Sequence, residues 1–350
     1  MSIFATDDHA VPHPEVTLAT KLEFLRCADS YPHRPDDVEL IETHFACLFL
    51  AGPLVYKLKK PIRFHEIDFT TVDLRRANCD YELKLNRRLA AAIYIDVVPL
   101  SMADSGLVLE TQDRGPVVDW LVKMHRLPRE RMLDARAAAG PVGSDELRKL
   151  IAKLAAFYSR TSRAPWDGAQ YRLHLERHIR AQGEQLLTYR SLLGAGRIES
   201  VVAAELASLR TGTAAFEARC TRGRVVDAHG DLRPEHILLG DEPQVIDCLE
   251  FSAELRLLDT AEEIAFLALE CTQLGRADLA REVVAIYREL CDDPVPQRLF
   301  DFYYVRRALV RALLCAWHLG EPLSEPLRHH WRERAKTYLE AALAAIARTL

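Results

Sequence analysis

Residues 225–251 read VVDAHGDLRPEHILLGDEPQVIDCLEF, a short β-rich island inside a region of helical texture. Two apolar runs, Ile237-Leu238-Leu239 and Val245-Ile246, flank Gly240-Asp241-Glu242-Pro243, a turn signal, so the two halves read as a hairpin. Each half carries an acid at the end of an apolar strand or turn: Asp231 in the first, Asp247 in the second. Phosphoryl transfer needs one carboxylate to orient the attacking hydroxyl and another to hold Mg2+ on the phosphates. Two acids on adjacent loops of a hairpin meet both needs.

On either side of the island the pattern is helical. Residues 169–218 are rich in Arg and Glu, and helices resume from Asp259 to the C-terminus. The segment 144–162 opens with Ser144 and reads as a helix, with Glu146 close to a capping-box spacing that it does not match. Nearer the N-terminus the texture is β-like. The runs 38–44 and 46–60 are strand-forming, and Gly52-Pro53 makes a hairpin of the second. The segment 71–91 has Leu74, Ala77, Tyr81, Leu85 and Leu89 near helical spacing and is an amphipathic helix. Two more strands follow, GLVLETQ and VVDWLVKM, separated by the turn Asp113-Arg114-Gly115-Pro116. The expected organisation is an N-terminal extension over 1–35 with one helical stretch near Leu18–Ala28, a β-sheet lobe with one helix over 36–124, a connector over 125–128, and a helical lobe over 129–350 with its functional loops at 229–251. A cleft between two lobes is a usual place for a small-molecule site.

Composition bounds the function. The 350 residues hold 46 Lys and Arg against 51 Asp and Glu, a net charge of −5, which leaves no basic footprint for nucleic acid. The eight cysteines include no CxxC pair, which excludes zinc-knuckle and thioredoxin readings, and scattered thiols of this kind read as reduced and cytoplasmic. The N-terminal MSIFATDDHAVPHPEV lacks the basic-then-apolar pattern of a signal peptide, and the run Phe45–Tyr56 is too short to span a bilayer, so no membrane partner is expected.

HGDLRPEHILL resembles the catalytic loop H-R-D-L-K-P-E-N-I-L-L of the protein-kinase-like superfamily, in the HGD form favoured by its aminoglycoside-phosphotransferase branch. VIDCLEF is similar to the D-F-G or I-D-W/F position, and Asp259-Thr-Ala-Glu-Glu263-Ile-Ala resembles the D-P-x-x-D-L-A helix start of that branch. VYKLKKP together with HGDL…DCLEF also resembles a bacterial subgroup of phosphotransferase-like proteins. The resemblance covers roughly residues 38–310 and is specific across 229–263. It implies an α+β fold of two lobes, an antiparallel-sheet N-lobe and a mainly helical C-lobe. It also implies an ATP- and Mg2+-dependent kinase that moves the γ-phosphate to a hydroxyl of a small molecule. The alternative is a pseudokinase-like module that binds nucleotide or a partner without transfer. A protein kinase fits less well, because no A-P-E motif follows Asp247 and a helix starts soon after it.

The resemblance assigns roles residue by residue. Asp231 is the hydroxyl-orienting acid and Asp247 the Mg2+ ligand. Arg233 stands where kinases place a Lys aimed at the γ-phosphate, and His229 ties the loop to the core. His236 departs from the family's Asn; it either orients Asp231 or binds metal through nitrogen, a softer donor than an amide oxygen. Lys57 is the phosphate lysine, with Lys59 on the same strand face as the alternative. Glu82 is its helix partner, with Asp80 and Asp73 as alternatives. Met124, His125 and Arg126 form the hinge that offers backbone groups to adenine, and Val55, Leu238 and Ile246 wall the base. A glycine-rich phosphate loop is absent.

Three further patterns have bland readings. His174 and His178 stand four apart in HLERH with no third ligand apparent, and read as a solvated helix face. His329-His330 lies in a basic surface run, and Tyr303, Ala308, Leu313 and Trp317 form a core stripe. Residues 168–224 hold nine arginines against five glutamates, which favours a neutral or anionic acceptor over a polycation.

Overall fold

The computed structural model describes residues 16–64, 67–111, 115–321 and 323–349. The chain divides into two compact units, 1–126 and 127–350. The predicted turn Asp113–Pro116 lies in part outside the described residues.

In the first unit, α1 (Leu18–Leu25) precedes β1 (Val38–Glu42), β2 (Ala46–Ala51) and β3 (Leu54–Lys59). A small hairpin of β4 (Arg63–Phe64) and β5 (Ile67–Asp68) leads to α2 (Val72–Ala90). Then come β6 (Tyr94–Ala103), β7 (Gly106–Leu109) and β8 (Val117–His125). One antiparallel sheet runs in the order β1-β2-β3-β8-β6-β7. Strand alternation gives β3 two different faces. Tyr56 and Leu58 join a core with Leu25, Tyr31, Phe49, Leu100 and Leu121, while Lys57 and Lys59 reach Glu82 of α2. Residues from Leu18 to Tyr31 therefore pack into this unit, and Lys21 adds a buried ion pair, 2.7 Å from Asp119 of β8. Arg75 grips the same carboxylate with two nitrogens at 2.8 Å.

The sequence reading contained no strand over 94–103, yet β6 is the longest of the sheet. Pro99 hides it, since proline cannot donate to a ladder. The structure accommodates Pro99 beside an irregularity in the pairing with β8 between Leu100 and Ser101.

The second unit contains α3 (Leu133–Ala139), α4 (Ser144–Arg160), α5 (Gly168–Leu187), α6 (Arg190–Leu193), α7 (Ala195–Thr211) and α8 (Thr213–Thr221). The β island follows as β9 (Val225–Asp227), β10 (Ile237–Leu238) and β11 (Gln244–Val245). After α9 (Ala253–Arg256) and β12 (Leu257–Asp259) come α10 (Thr260–Gln273), α11 (Ala277–Leu290), α12 (Gln297–Trp317) and α13 (Glu325–Thr349). The expected hairpin forms between β10 and β11, pairing Ile237 with Val245 and Leu238 with Gln244. β9 pairs with β12, so the loop carrying Asp231 leaves one strand of a ribbon whose other strand feeds α10. A capping box forms at Asp167 and Gln170 rather than near Ser144, where Gly143 precedes the helix without a side-chain cap. Tyr303, Ala308 and Leu313 are buried, as the stripe implied. All eight cysteines are free thiols. No helix among the described residues is long and apolar enough to cross a membrane.

One buried acid of this unit gives a pH prediction. Neither side-chain oxygen of Glu205 has a hydrogen-bond partner, and burial pushes its carboxyl up to about 8, with Arg306 opposing and Glu262 adding to the rise. The folded state thus holds a proton that the unfolded chain releases near 4.5. Where the native state binds more protons, stability falls as pH rises. Glu205 should therefore cost nothing below about pH 4.5 and progressively more up to pH 8, on the order of a few kcal/mol in all. Denaturant midpoints of wild type and Glu205→Gln measured across that window should diverge, with the wild type losing more. Parallel curves would show that Glu205 ionises freely in the fold.

Candidate active site

The loop after β9 is held by its backbone. His229 is buried; its Nε2 lies 3.0 Å from Ile246 O, and its Nδ1 accepts from the Asp231 N–H at 3.3 Å, so Nε2 carries the proton and donates. Burial and the neighbouring His236 hold this ring down to about 3, so it is a neutral tie between the Asp231 and Asp247 segments. Gly230 has φ +86°, and a Cβ there would meet Leu249 at 3.0 Å and Arg256 at 3.2 Å, so glycine is required. Its N–H donates to Glu263 Oε1 at 2.5 Å, and its carbonyl accepts from Arg307 at 3.0 Å. Tyr158 donates to the other oxygen of Glu263 at 2.9 Å. Arg256 braces the far side, bonding Asp227 at 2.7 Å and Leu249 O at 2.9 Å.

Asp231, Arg233, His236 and Asp247 come together above this frame. Arg233 Nη2 is 2.9 Å from Asp231 Oδ2 and 3.0 Å from His236 Nε2, and its Nη1 donates to Glu235 at 2.6 Å. A guanidinium only donates, so His236 Nε2 is the acceptor and Nδ1 donates to Asp231 O at 2.9 Å. His236 thereby orients the Asp231 backbone, the first of its two sequence readings. Burial alone would push the Asp231 carboxyl up; Arg233, then His236 and Arg311, outweigh it and hold the group below the usual aspartate range. Asp247 adopts φ +59°, rare for a residue with a side chain, and its Oδ2 lies 3.5 Å from His236 Nε2. One ligand atom each of Asp231, His236 and Asp247 all lie within 4.8 Å of one another.

This donor set fits a hydrated Mg2+ through its carboxylates. Asp247 is the more open of the two, its side chain 43% exposed, which suits a cation that keeps several waters. The His236 Nε2 lone pair already accepts from Arg233, so the imidazole serves the loop in this arrangement rather than a hard cation.

Within the first unit, Lys57 Nζ lies 2.8 Å from Glu82 Oε1 and Lys59 Nζ 2.5 Å from Glu82 Oε2. Glu82 thus holds both candidate lysines, one on each oxygen, and neither Asp80 nor Asp73 takes that place. Lys57 is the more open of the two, at 13% side-chain exposure against 2% for Lys59. Val55 sits opposite Met124 in the sheet, and both are buried. The His125 N–H donates to Ile93 O and the Arg126 N–H to Pro53 O, so those two hinge donors serve the sheet. Leu238 and Ile246 flank the hairpin of the second unit, with Leu238 buried and the Ile246 N–H bonded to His236 O.

Sequence reasoning missed Arg307, Arg311, Glu270 and Tyr158. Arg311 Nε lies 3.0 Å from Glu270 Oε1, and Arg307 stacks 4.1 Å from the centre of the Phe266 ring. For Arg307, Arg311 and Glu270 the signal was charge inside the apolar stripes of α10 and α12, where a charged side chain needs a buried partner; Tyr158, on α4, carried no such signal. Of the charges in 168–224, Arg219 and Glu205 turn inward, one of each sign, so the excess of arginine over glutamate stands among the remaining side chains.

An antiparallel sheet with one long helix, and a helical unit carrying the Asp231 and Asp247 loops, define the protein-kinase-like fold. Among solved structures, the chain is similar to a choline/ethanolamine kinase family protein from Mesorhizobium loti, with a TM-score of 0.53 and 17% identity over 93% of this chain and 98% of that one. It is also similar to an ethanolamine kinase of Plasmodium vivax, with a TM-score of 0.51 and 12% identity over 87% and 81% of the two chains. At these identities the likeness is one of fold. In sequence the chain is 34% identical over 281 residues to Rv2004c, an uncharacterized protein of Mycobacterium tuberculosis H37Rv, across 79% of this chain and 54% of that protein. Mb2027c of Mycobacterium bovis matches to the same extent. The chain spans about half the length of the curated relatives it matches. No family model matches it.

Proposed function

We propose that the chain is an ATP- and Mg2+-dependent phosphotransferase acting on a hydroxyl of a small molecule. The observation that carries this reading is that Asp231 and Asp247, on loops tied together by His229 and His236, bring carboxylate oxygens within 4.8 Å of each other. Mg2+ held on Asp247 would neutralise charge on the phosphates. Lys57, positioned by Glu82, binds the non-transferred phosphates. Asp231 accepts a hydrogen bond from the acceptor hydroxyl and aims its oxygen in line. A carboxylate held below its usual range is a weak base, so Asp231 orients first and takes the proton only as the new P–O bond forms. Arg233, now bridging Asp231 and His236, moves to the transferring phosphoryl group as charge spreads over its oxygens.

The test is transfer of labelled γ-phosphate from ATP to a panel of sugars, alcohols and amino alcohols, with and without Mg2+. A phosphate ester and stoichiometric ADP are expected, only with the metal present. Lys57→Ala should lower kcat/KM for ATP by roughly 10- to 100-fold, the worth of a hydrogen bond between charged groups. Lys59→Ala should act mainly on stability, because that ammonium is enclosed; the reverse ranking would make Lys59 the phosphate ligand. One observation favours a second reading, a nucleotide-binding module without transfer: Arg233 already occupies Asp231 at 2.9 Å. Tight nucleotide binding with no ADP release on any acceptor would establish that alternative.

A further inference from the structure

His174 and His178 do not form the solvated face that their spacing alone suggests. They stand one turn apart on α5 with ring centroids 4.3 Å apart, and Trp166 covers His174 at 4.3 Å. The missing third group comes from α9, distant in sequence. Glu254 Oε1 lies 3.2 Å from His174 Nδ1 and 3.4 Å from His178 Nε2. His174 is buried at 4% exposure, and its Nδ1 has no hydrogen-bond partner, although it faces a carboxylate oxygen. A buried nitrogen lone pair set against an anion needs either a proton or a cation between them.

Two imidazole nitrogens and one carboxylate oxygen converge here, a nitrogen-and-oxygen donor set of the kind zinc takes. Zn2+ bonds nitrogen and oxygen at about 2.0–2.2 Å, which sets neighbouring ligands in a tetrahedron roughly 3.3–3.5 Å apart. The two His–Glu separations fall at or just below that range. Arg177 Nη2, 3.6 Å from the same Glu254 oxygen, opposes a cation, but its side chain is 65% exposed and free to swing into solvent. Arg306, buried nearby, opposes a cation as well, and its 3.2 Å bond to Glu262 offsets part of its charge.

We infer that His174, His178 and Glu254 form a binding site for a divalent transition metal of the zinc class, with three protein ligands and an open fourth position. A metal there fastens α9, just beyond Asp247, to α5. The site is separate from the Asp231–His236–Asp247 cluster and does not depend on the phosphotransferase reading.

The test is titration of the chelator-stripped full chain with Co2+ alone, followed by Zn2+. One equivalent of Co2+ should give the visible absorption of a four- or five-coordinate site, and Zn2+ should displace it. His178→Ala and Glu254→Gln change partly exposed side chains. Each should abolish that absorption while the far-ultraviolet circular dichroism is unchanged. Asp247→Asn should retain it. Absence of the absorption in wild type, its persistence in both variants, or its loss in Asp247→Asn would each overturn the inference.

Discussion

Asp231→Asn should cut phosphoryl transfer by roughly 10²- to 10⁴-fold, the usual worth of a positioned acid–base group. Nucleotide affinity should change little. Asn keeps the shape of the side chain and one carbonyl oxygen, so Arg233 retains an acceptor where it now meets Asp231 at 2.9 Å. The backbone frame is untouched, because Gly230 is held by Glu263 and Arg307, and the Asp231 carbonyl by His236, none of which uses the Asp231 carboxylate. What is lost is the anion that receives the hydroxyl proton as the P–O bond forms, an interaction made in the transition state. Such a loss lowers kcat and kcat/KM together and spares ground-state binding. Product formation on the best acceptor of the panel and titration of a fluorescent ATP analogue separate the two effects. Turnover within a few fold of wild type would remove Asp231 from the mechanism.

The parts of this molecule legible in its sequence are those whose residues lie close together along the chain. The HGD loop, the β10–β11 hairpin and the Asp247 segment span fewer than thirty residues, and their hydrogen bonds run mostly among themselves. Lys57 and Glu82 came from the resemblance of their strand and helix, with strand alternation leaving Lys59 open; the structure pairs Glu82 with both lysines. What stayed hidden depends on long-range closure. Glu254 completes the histidine pair from 80 residues away in the case of His174, and Arg219 meets Asp293 across 74. No periodicity announces such partners. β6 was lost for a different reason, since Pro99 is a local signal against a strand that a pairing irregularity overrides.

Arg219→Met should strongly destabilise the second unit. Arg219 of α8 donates to Asp259 through Nε at 2.7 Å and Nη2 at 2.6 Å, and to Asp293 through Nη1 and through Nη2 at 2.7 Å. All three side chains are buried. Asp259 also accepts from Tyr303 at 2.7 Å and caps α10 through the Ala261 N–H at 2.8 Å, while Tyr287 donates to Asp293 at 2.6 Å. Methionine fills much of the volume but removes the guanidinium that bridges the two carboxylates, leaving Asp293 only Arg224 at 4.0 Å. Breaking a buried pair from one side costs about 3–5 kcal/mol, a large share of the roughly 5–15 kcal/mol that holds a domain together. The loss has a pH signature. Burial would raise the Asp293 carboxyl, but Arg219 outweighs it and holds the group below its usual 3.8. A depressed carboxylate contributes stability above its unfolded value, and that contribution is lost as pH falls through the folded one. Without Arg219, burial dominates, and the variant instead loses stability as pH rises past the ordinary carboxylate range. The gap between wild type and variant should therefore be smallest in acid and widest at neutral pH. Arg219→Lys should recover only part of it, since one ammonium cannot fork across two carboxylates. Because α10 also carries Glu263, which holds Gly230, transfer activity should fall along with stability in the methionine variant. Denaturant unfolding of the three proteins at acid and neutral pH measures the gap; a loss below about 1 kcal/mol at neutral pH, within the range of an exposed pair, would mean that the two aspartates are not held by this arginine.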